Sequence, residues 1–118
     1  MVYTAQSVSL AVLEMLVHLE NEAISAAYRL CMAELHEADI ETLDESHLSA
    51  DWPAASSQAL CRALGDTWAK ERRSLALRVP SAVVPQEYNF LLNPLHESFG
   101  QLRVGEPQSF SFDPRLGT

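Results

Sequence analysis

Residues 7–19 read SVSLAVLEMLVHL, a stretch that predicts a helix with apolar side chains on almost every face. Ser7 is placed to cap the first turn by accepting a hydrogen bond from a backbone amide. A helix that is apolar all round is typical of a buried position rather than of a protein surface. We therefore expect the helix to run to Leu19 inside the core and to carry Glu14 into the interior with it.

Glu14 is the most informative residue of this helix, because a buried carboxylate without a partner is costly and needs either a contact or a function. His18 lies one helical turn further along the chain, where it could hydrogen-bond Glu14 in a purely structural pair. Spacing alone does not separate that structural pair from a catalytic carboxylate.

The segments on either side of this helix predict strands and a second helix. Residues 2–4 (VYT) predict the end of a strand, whereas residues 24–35 fit a strand or a helix, with local propensity favouring the helix. After Pro53, Ser56 or Ser57 is placed to cap a second helix, which is amphipathic.

The C-terminal half continues this alternation of helix and strand. The cations Lys70, Arg72 and Arg73 suit the end of the second helix, and residues 75–79 then alternate as a half-buried strand that Pro80 stops. The apolar residues of 102–104 and 110–112, separated by a turn signal at Gly105, predict a C-terminal hairpin. The pattern predicts one α+β domain over residues 1–118, with a small mixed sheet and two main helices.

Composition restricts the classes of function. The 118 residues are 47% hydrophobic and 20% charged, which is the profile of one folded domain. The net charge of −8 argues against binding to nucleic acid or an anionic membrane, and the apolar run of residues 8–19 is too short to span a bilayer. Cys31 and Cys61 lack metal-site spacing, so we expect reduced thiols in a soluble, cytoplasmic protein.

The acidic residues are concentrated between positions 30 and 61, where seven acids occur without a single Lys or Arg. Such a run usually forms a solvated face or loop, and a docking patch for a basic partner is the alternative.

Few residues outside the first helix suggest chemistry by themselves. The four scattered glycines form no phosphate-binding loop, and no serine lies in a nucleophile elbow. Ser81 at a strand end is most often an ordinary turn residue, and Tyr3 on a strand is most often part of a core. We expect Asn89 and Asn93 only to satisfy loop backbone, and the histidines are too dispersed to form a metal site.

Taken in order, several segments of the chain resemble RES domains, a family of bacterial toxins that attack NAD. The segments are VYTA (2–5), AVLEMLVHL (11–19), LGDTW (64–68), RVPSAVVP (78–85), EYNFLLNPLH (87–96) and FSFDPRL (110–116). The resemblance implies a fold similar to that of ADP-ribosyltransferases, and a strand rather than a helix over residues 27–35.

The RES family is named for an arginine, a glutamate and a serine, and the resemblance places the glutamate on Glu14 and the serine on Ser81. Tyr3 matches the tyrosine beside them. The resemblance implies that Glu14 is catalytic, that Tyr3 stacks on the nicotinamide ring and that Ser81 hydrogen-bonds part of the nucleotide. NAD would then be cleaved between nicotinamide and ribose without a metal, either by degradation or by transfer of ADP-ribose to an acceptor.

The family's arginine lies upstream of the VYTA segment, whereas the first arginine here is Arg29. We therefore expect an N-terminally incomplete RES domain that lacks the family's first strands. Arg72, Arg73 or Arg78 would have to replace the missing anchor for the pyrophosphate.

The function that this resemblance implies is that of the toxin in a toxin–antitoxin pair, held by a helix-turn-helix antitoxin of the Xre type. Assembly of the chain into a homo-oligomer is a further possibility that the sequence leaves undecided. The alternative is a non-catalytic RES remnant that still binds the antitoxin. A third reading, an acidic protein unrelated to NAD, rests only on the charge.

Overall fold

The computed structural model describes residues 1–19, 27–47 and 58–117. In chain order the helices and strands are β1 (Val2–Ala5), α1 (Val8–Leu16), β2 (Tyr28–Leu30), β3 (Ala33–Glu34), β4 (Ile40–Thr42), α2 (Gln58–Glu71), β5 (Ala76–Pro80), β6 (Tyr88–Leu92), β7 (Arg103–Val104) and β8 (Gln108–Phe110). Short 3-10 helices cover Glu37–Asp39, Glu45–His47, Phe99–Gln101 and Pro114–Gly117. Two helices and small sheets confirm the predicted α+β class.

The main sheet has four strands in the order β1-β6-β5-β4. β6 pairs antiparallel with both β1 and β5, whereas β4 runs parallel to β5, so the sheet is mixed as expected. The predicted strand over 75–79 is confirmed and ends at Pro80, but it is not half-buried throughout. Ala76 and Leu77 point to opposite faces of the sheet and are both buried, so both faces of β5 are covered at this point.

Helix α2 covers the sheet through one apolar face, as its amphipathic pattern predicts. Trp68 is completely buried and packs with Leu77 of β5 and Leu91 of β6. Its indole N–H donates to Ser74 Oγ over 2.8 Å, so the buried ring has no unsatisfied polar atom. Burial of this cluster fixes the second helix against the two central strands. The predicted caps at residues 53–57 lie outside the described residues.

Helix α1 begins as predicted, because Ser7 Oγ accepts a hydrogen bond from Leu10 N over 3.1 Å. It ends at Leu16 rather than Leu19. Both predicted helices, α1 and α2, are therefore present, and α1 is shorter than expected.

The prediction that α1 is buried on all sides is wrong. Within α1 only Leu10 is buried, whereas Leu13 and Met15 are exposed, and Val17 just after it is 60% exposed. In the described part of the chain, β1 pairs with β6 alone, so α1 beside it lies at an open edge of the sheet and packs on one side. The apolar pattern of the sequence cannot reveal this edge position.

The predicted C-terminal hairpin is also wrong. β7 pairs with β3 and β8 pairs with β2, each antiparallel, instead of pairing with each other. Edge-to-face contacts of Phe112 with Tyr28 and Phe110 draw the C-terminal segment onto β2, with ring centroids 5.2 and 5.4 Å apart. The strand that the resemblance implies for 27–35 is confirmed as two short strands, and residues 24–26 lie outside the described residues.

Within the described ranges, α1 and α2 have 9 and 14 residues, and neither has the length and apolar character that crossing a bilayer requires.

Arg72, the residue after α2, adopts a left-handed conformation with φ of 51°. Replacing Arg72 with Gly should raise the free energy of unfolding by about 0.5–1 kcal/mol, because glycine adopts positive φ without a β-carbon clash. Chemical denaturation measures the effect. Arg72→Ala, which keeps the β-carbon, is the matched control, and an equal response of the two variants would contradict the strain.

Candidate active site

A cleft of about 700 Å³ opens between the edge of the main sheet and the two helices. Its walls are formed by β1, the C-terminal half of α1, the N-terminal half of α2 and the loop that follows β5. Tyr3, Glu14, Arg62 and Asn89 contribute its polar side chains together with His18 and Thr4. The volume is in the range of pockets that bind small organic molecules.

Glu14 lies on the wall of this cleft and is held by Ser81. Its Oε1 accepts a hydrogen bond of 2.6 Å from Ser81 Oγ, which is 67 residues away in sequence. Among the described residues, the Glu14 carboxylate accepts this one hydrogen bond, and its Oε2 atom accepts none. The alternative pair with His18 is not formed, because α1 ends at Leu16 and the chain turns before His18.

Ser81 is fully buried, and all the hydrogen-bonding capacity of its hydroxyl is used within the protein. While it donates to Glu14, it accepts from the backbone amides of Val83 and Val84 over 3.1 and 3.0 Å. Its own amide donates to Glu87 O over 2.8 Å, which continues the pairing of β5 with β6. The serine thus fixes the turn after β5 and points its proton at the Glu14 carboxylate.

Tyr3 extends from edge strand β1 into the same cleft. Its register opposite Leu91 is fixed by the β1–β6 ladder, and Thr4 Oγ1 donates to Phe90 O beside it over 2.8 Å. The pKa of Tyr3 lies above its usual value, first because protein atoms partly exclude water from the phenol and then because the Glu14 carboxylate repels a phenolate. The side chain as a whole is still 68% exposed, so water screens both effects. Tyr3 and Glu14 therefore interact electrostatically.

Asn89 is a cleft residue to which the sequence assigned no role. It is buried, and its Nδ2 donates to Thr4 O over 3.3 Å, which joins β6 to β1. The signal that could have found it is the period of two in β6, since Asn89 and Leu91 lie on the same face and both line the cleft. Asn93 likewise bonds backbone groups, at Ala69 and Leu95, as expected.

Arg62 of α2 is the other residue that sequence analysis missed. It is exposed on the rim of the cleft and contributes a permanent positive charge to the lining. The positive charge of Arg62 lowers the pKa of Tyr3, whereas Glu14 raises it, so the two charges act on the same phenol from within one cleft.

The three arginines that were expected to compensate do not line this cleft. Arg73 pairs with Glu41 and Glu71, both over 2.9 Å. Arg72 follows α2 at the far end of the helix from Arg62.

Arg78 has a structural position in the sheet instead. It pairs with Glu37 over 2.9 Å and donates to Thr42 over 3.2 Å. Its guanidinium carbon also lies 5.9 and 5.3 Å from the ring centroids of Tyr88 and Phe90.

A second, smaller cleft of about 110 Å³ lies elsewhere, lined in part by Glu34, His36, Asp39 and Arg103. In the three ranges that the structure covers, no group of three or more His, Cys, Asp or Glu side chains is arranged to hold a metal ion.

Comparison with known proteins identifies what the chain is similar to. A family model described as RES domain matches residues 1–113. Toxin Res of Yersinia enterocolitica (serotype O:8 / biotype 1B) is 40% identical over 116 residues, which cover 98% of this chain and 76% of that protein. Toxin Res of Photorhabdus laumondii is 37% identical over 116 residues, with coverages of 98% and 74%. A Sphingobium protein named Prs ADP-ribosylating toxin is 31% identical over 118 residues, with coverages of 98% and 73%.

Replacing Ser81 with Ala should lower the free energy of unfolding by about 1–3 kcal/mol, because two partly buried amides and the Glu14 carboxylate lose their partner. Equilibrium denaturation in urea measures the loss. The matched control is Ser109→Ala in exposed strand β8, which should change stability by less than about 0.5 kcal/mol. An equal, small effect of both variants would show that the hydrogen bonds of Ser81 to Glu14 and to the turn after β5 do not stabilise the fold.

The phenol of Tyr3 should titrate above pH 10, and Glu14→Gln should lower its pKa without returning it to 10, because burial is the larger cause. The absorbance of phenolate, compared between each protein and its Tyr3→Phe derivative, isolates this group from the two other tyrosines. The folded chain holds this proton more tightly than the unfolded chain. The resulting stabilisation is therefore present below pH 10 and is lost as pH rises through the folded pKa.

Glu34→Gln, at an exposed glutamate outside the cleft, is the control for this titration and should leave the Tyr3 pKa unchanged. A Tyr3 pKa that did not respond to Glu14→Gln would show that the two side chains do not share one site.

Proposed function

The chain belongs to the RES-domain family, and from this premise we propose that it is a toxin that cleaves the bond between nicotinamide and ribose in NAD. The observation that carries the proposal is the Glu14 carboxylate, which Ser81 fixes over 2.6 Å on the wall of the cleft that Tyr3 enters. A carboxylate held rigidly beside a pocket of this size suits a reaction in which positive charge develops on the substrate.

Cleavage breaks the bond between ribose C1′ and the pyridinium nitrogen. The bonding electron pair leaves with nicotinamide, which becomes neutral, and positive charge develops on the ribose ring. An acceptor then bonds to C1′ and gives up a proton. Glu14 contributes by stabilising the ribose cation electrostatically, and it does so with little reorganisation because its position is set before the substrate binds.

The arrangement of Glu14 suits this role because only one of its oxygens is engaged. Oε1 receives the proton of Ser81, and Oε2 has no hydrogen bond among the described residues, so it can face the ribose. We expected Ser81 to hydrogen-bond the nucleotide. Since its hydroxyl is already saturated by Glu14, Val83 and Val84, we propose that Ser81 acts mainly by positioning the carboxylate.

Tyr3 would hold the leaving group. Its ring is exposed at the cleft and can stack on the nicotinamide ring, as the resemblance implies. Like any ordinary phenol, Tyr3 is neutral at physiological pH, and because its pKa is raised rather than lowered it adds no second negative charge beside Glu14.

The names of the relatives support a toxin that acts through ADP-ribose chemistry, since one of them is called an ADP-ribosylating toxin. Water, phosphate or a protein side chain would each complete the reaction as acceptor. No metal is needed in this scheme.

We propose further that the toxin is cytoplasmic, where NAD is available, and that a helix-turn-helix antitoxin is its partner. Exposed apolar side chains at the rim of the cleft, Met15 and Val17 among them, support a protein that covers the opening. A partner bound there would block access of NAD to Glu14.

The decisive experiment is an assay of NAD consumption by the purified chain and its Glu14→Gln variant. Glutamine keeps an oxygen that can accept the Ser81 proton but removes the charge, so the variant should fold normally and lose at least about 100-fold in rate. Release of nicotinamide, followed by chromatography, measures cleavage directly. Circular dichroism and thermal melting establish that both proteins are folded.

Glu34→Gln is again the matched control and should retain the parental rate, because Glu34 lies outside the cleft. A Glu14→Gln variant as active as its parent would rule out the assigned mechanism. A folded parent that consumes no NAD but binds the antitoxin would favour the non-catalytic alternative.

A further inference from the structure

We propose that Arg62 is the residue that anchors the pyrophosphate of the substrate in the cleft. The inference rests on the proposed function, because it assigns a binding role within the same site. It replaces Arg72, Arg73 and Arg78, the residues that the sequence suggested for this role.

The position of Arg62 on α2 is the first observation. Cys61 and Gly65, which are one helical turn apart, both line the cleft, and Arg62 lies next to them on the same wall. One turn beyond Gly65, Trp68 is buried in the core. The N-terminal half of α2 therefore borders the cleft while its C-terminal half is fixed to the sheet, so Arg62 is supported by a rigid element.

The second observation is that Arg62 is available. In residues 1–19, 27–47 and 58–117, no carboxylate forms an ion pair with Arg62, whereas Arg73 and Arg78 are both engaged with glutamates. Arg103 lines the smaller cleft rather than this one. Among the described residues of the large cleft, Arg62 is thus the one Lys or Arg side chain.

Because the protein is negatively charged, an anionic ligand needs a positively charged side chain in the cleft. The chain carries a net charge of −8, and Glu14 adds a carboxylate to the cleft itself, so the two negative charges of a pyrophosphate are repelled without local compensation. A guanidinium can bind two phosphate oxygens at once through its planar set of N–H donors. The influence of Arg62 on the Tyr3 phenol places its charge within electrostatic range of the nicotinamide end.

The division of the cleft follows from these positions. Tyr3 and Glu14 lie on β1 and α1 and would contact nicotinamide and its ribose, whereas Arg62 lies on the opposing helix α2 and would contact the phosphates. Arg62 is then a binding residue whose loss affects affinity more than the chemical step.

The test is a calorimetric titration of the full chain with ADP-ribose, which carries the pyrophosphate, and with nicotinamide, which does not. Arg62→Ala should weaken binding of ADP-ribose by roughly 10- to 100-fold, because a charge-assisted contact is lost, and should leave binding of nicotinamide unchanged. Arg62→Lys should recover part of the affinity, since it restores the charge but not the bidentate contact. Arg29→Ala, at an exposed arginine outside the cleft, changes the net charge equally and should have no effect.

Kinetics separate this inference from the proposed function. In the NAD assay, Arg62→Ala should raise KM by a similar factor with kcat within a few-fold of the parent, whereas Glu14→Gln lowers kcat. If the parent binds ADP-ribose and consumes NAD but Arg62→Ala does both equally well, the role of Arg62 is overturned while the proposed function stands. If the parent consumes no NAD but loses ADP-ribose binding on Arg62→Ala, the anchor stands and the proposed catalysis fails. A folded parent that neither binds ADP-ribose nor consumes NAD overturns both.

Discussion

The Ser81 hydroxyl joins helix α1 to the turn after β5, two segments that are distant in sequence. It donates to Glu14 on α1, accepts from the amides of the turn after β5, and lies where that turn leads towards β6. Because the hydroxyl is buried and saturated, none of these contacts can be exchanged for water without cost. The carboxylate of the candidate site therefore depends on the geometry of the central strands, and helix α1 is held at the sheet edge by a polar contact as well as by Leu10.

Local signals in the sequence predicted what depends on local interactions. The Ser7 cap, the end of β5 at Pro80 and the amphipathic face of α2 around Trp68 all follow from residues within one or two turns. The C-terminal hairpin and the burial of α1 failed because both depend on which strands become neighbours. Strand pairing and edge position are set by contacts between distant segments, which periodicity does not encode.

Part of the candidate site could likewise be predicted from the sequence, and part could not. The expected cost of burying a carboxylate drew attention to Glu14, which is in fact only half-buried, and spacing suggested His18 as its partner, whereas in the structure its partner is Ser81 after β5. The resemblance to the family places Glu14, Ser81 and Tyr3 in one site, and in the structure Ser81 contacts Glu14 while Tyr3 lines the same cleft. Arg62 escaped notice because nothing in its local sequence distinguishes it from other arginines. Its place on the cleft becomes visible only when α2 is packed on the sheet.

The pairing of β1 with β6 also bears on how the chain is made. Val2 pairs with Leu92 and Ala5 with Asn89, so β1 can pair only after β6, the last strand of the main sheet in chain order, has been synthesised. Tyr3 and Glu14 emerge from the ribosome long before Ser81 and Asn89, and contacts of such high sequence separation form slowly. A nascent chain, or a fragment that stops before β6, consequently cannot assemble the cleft. Translation itself therefore delays the assembly of the cleft until β6 has been synthesised.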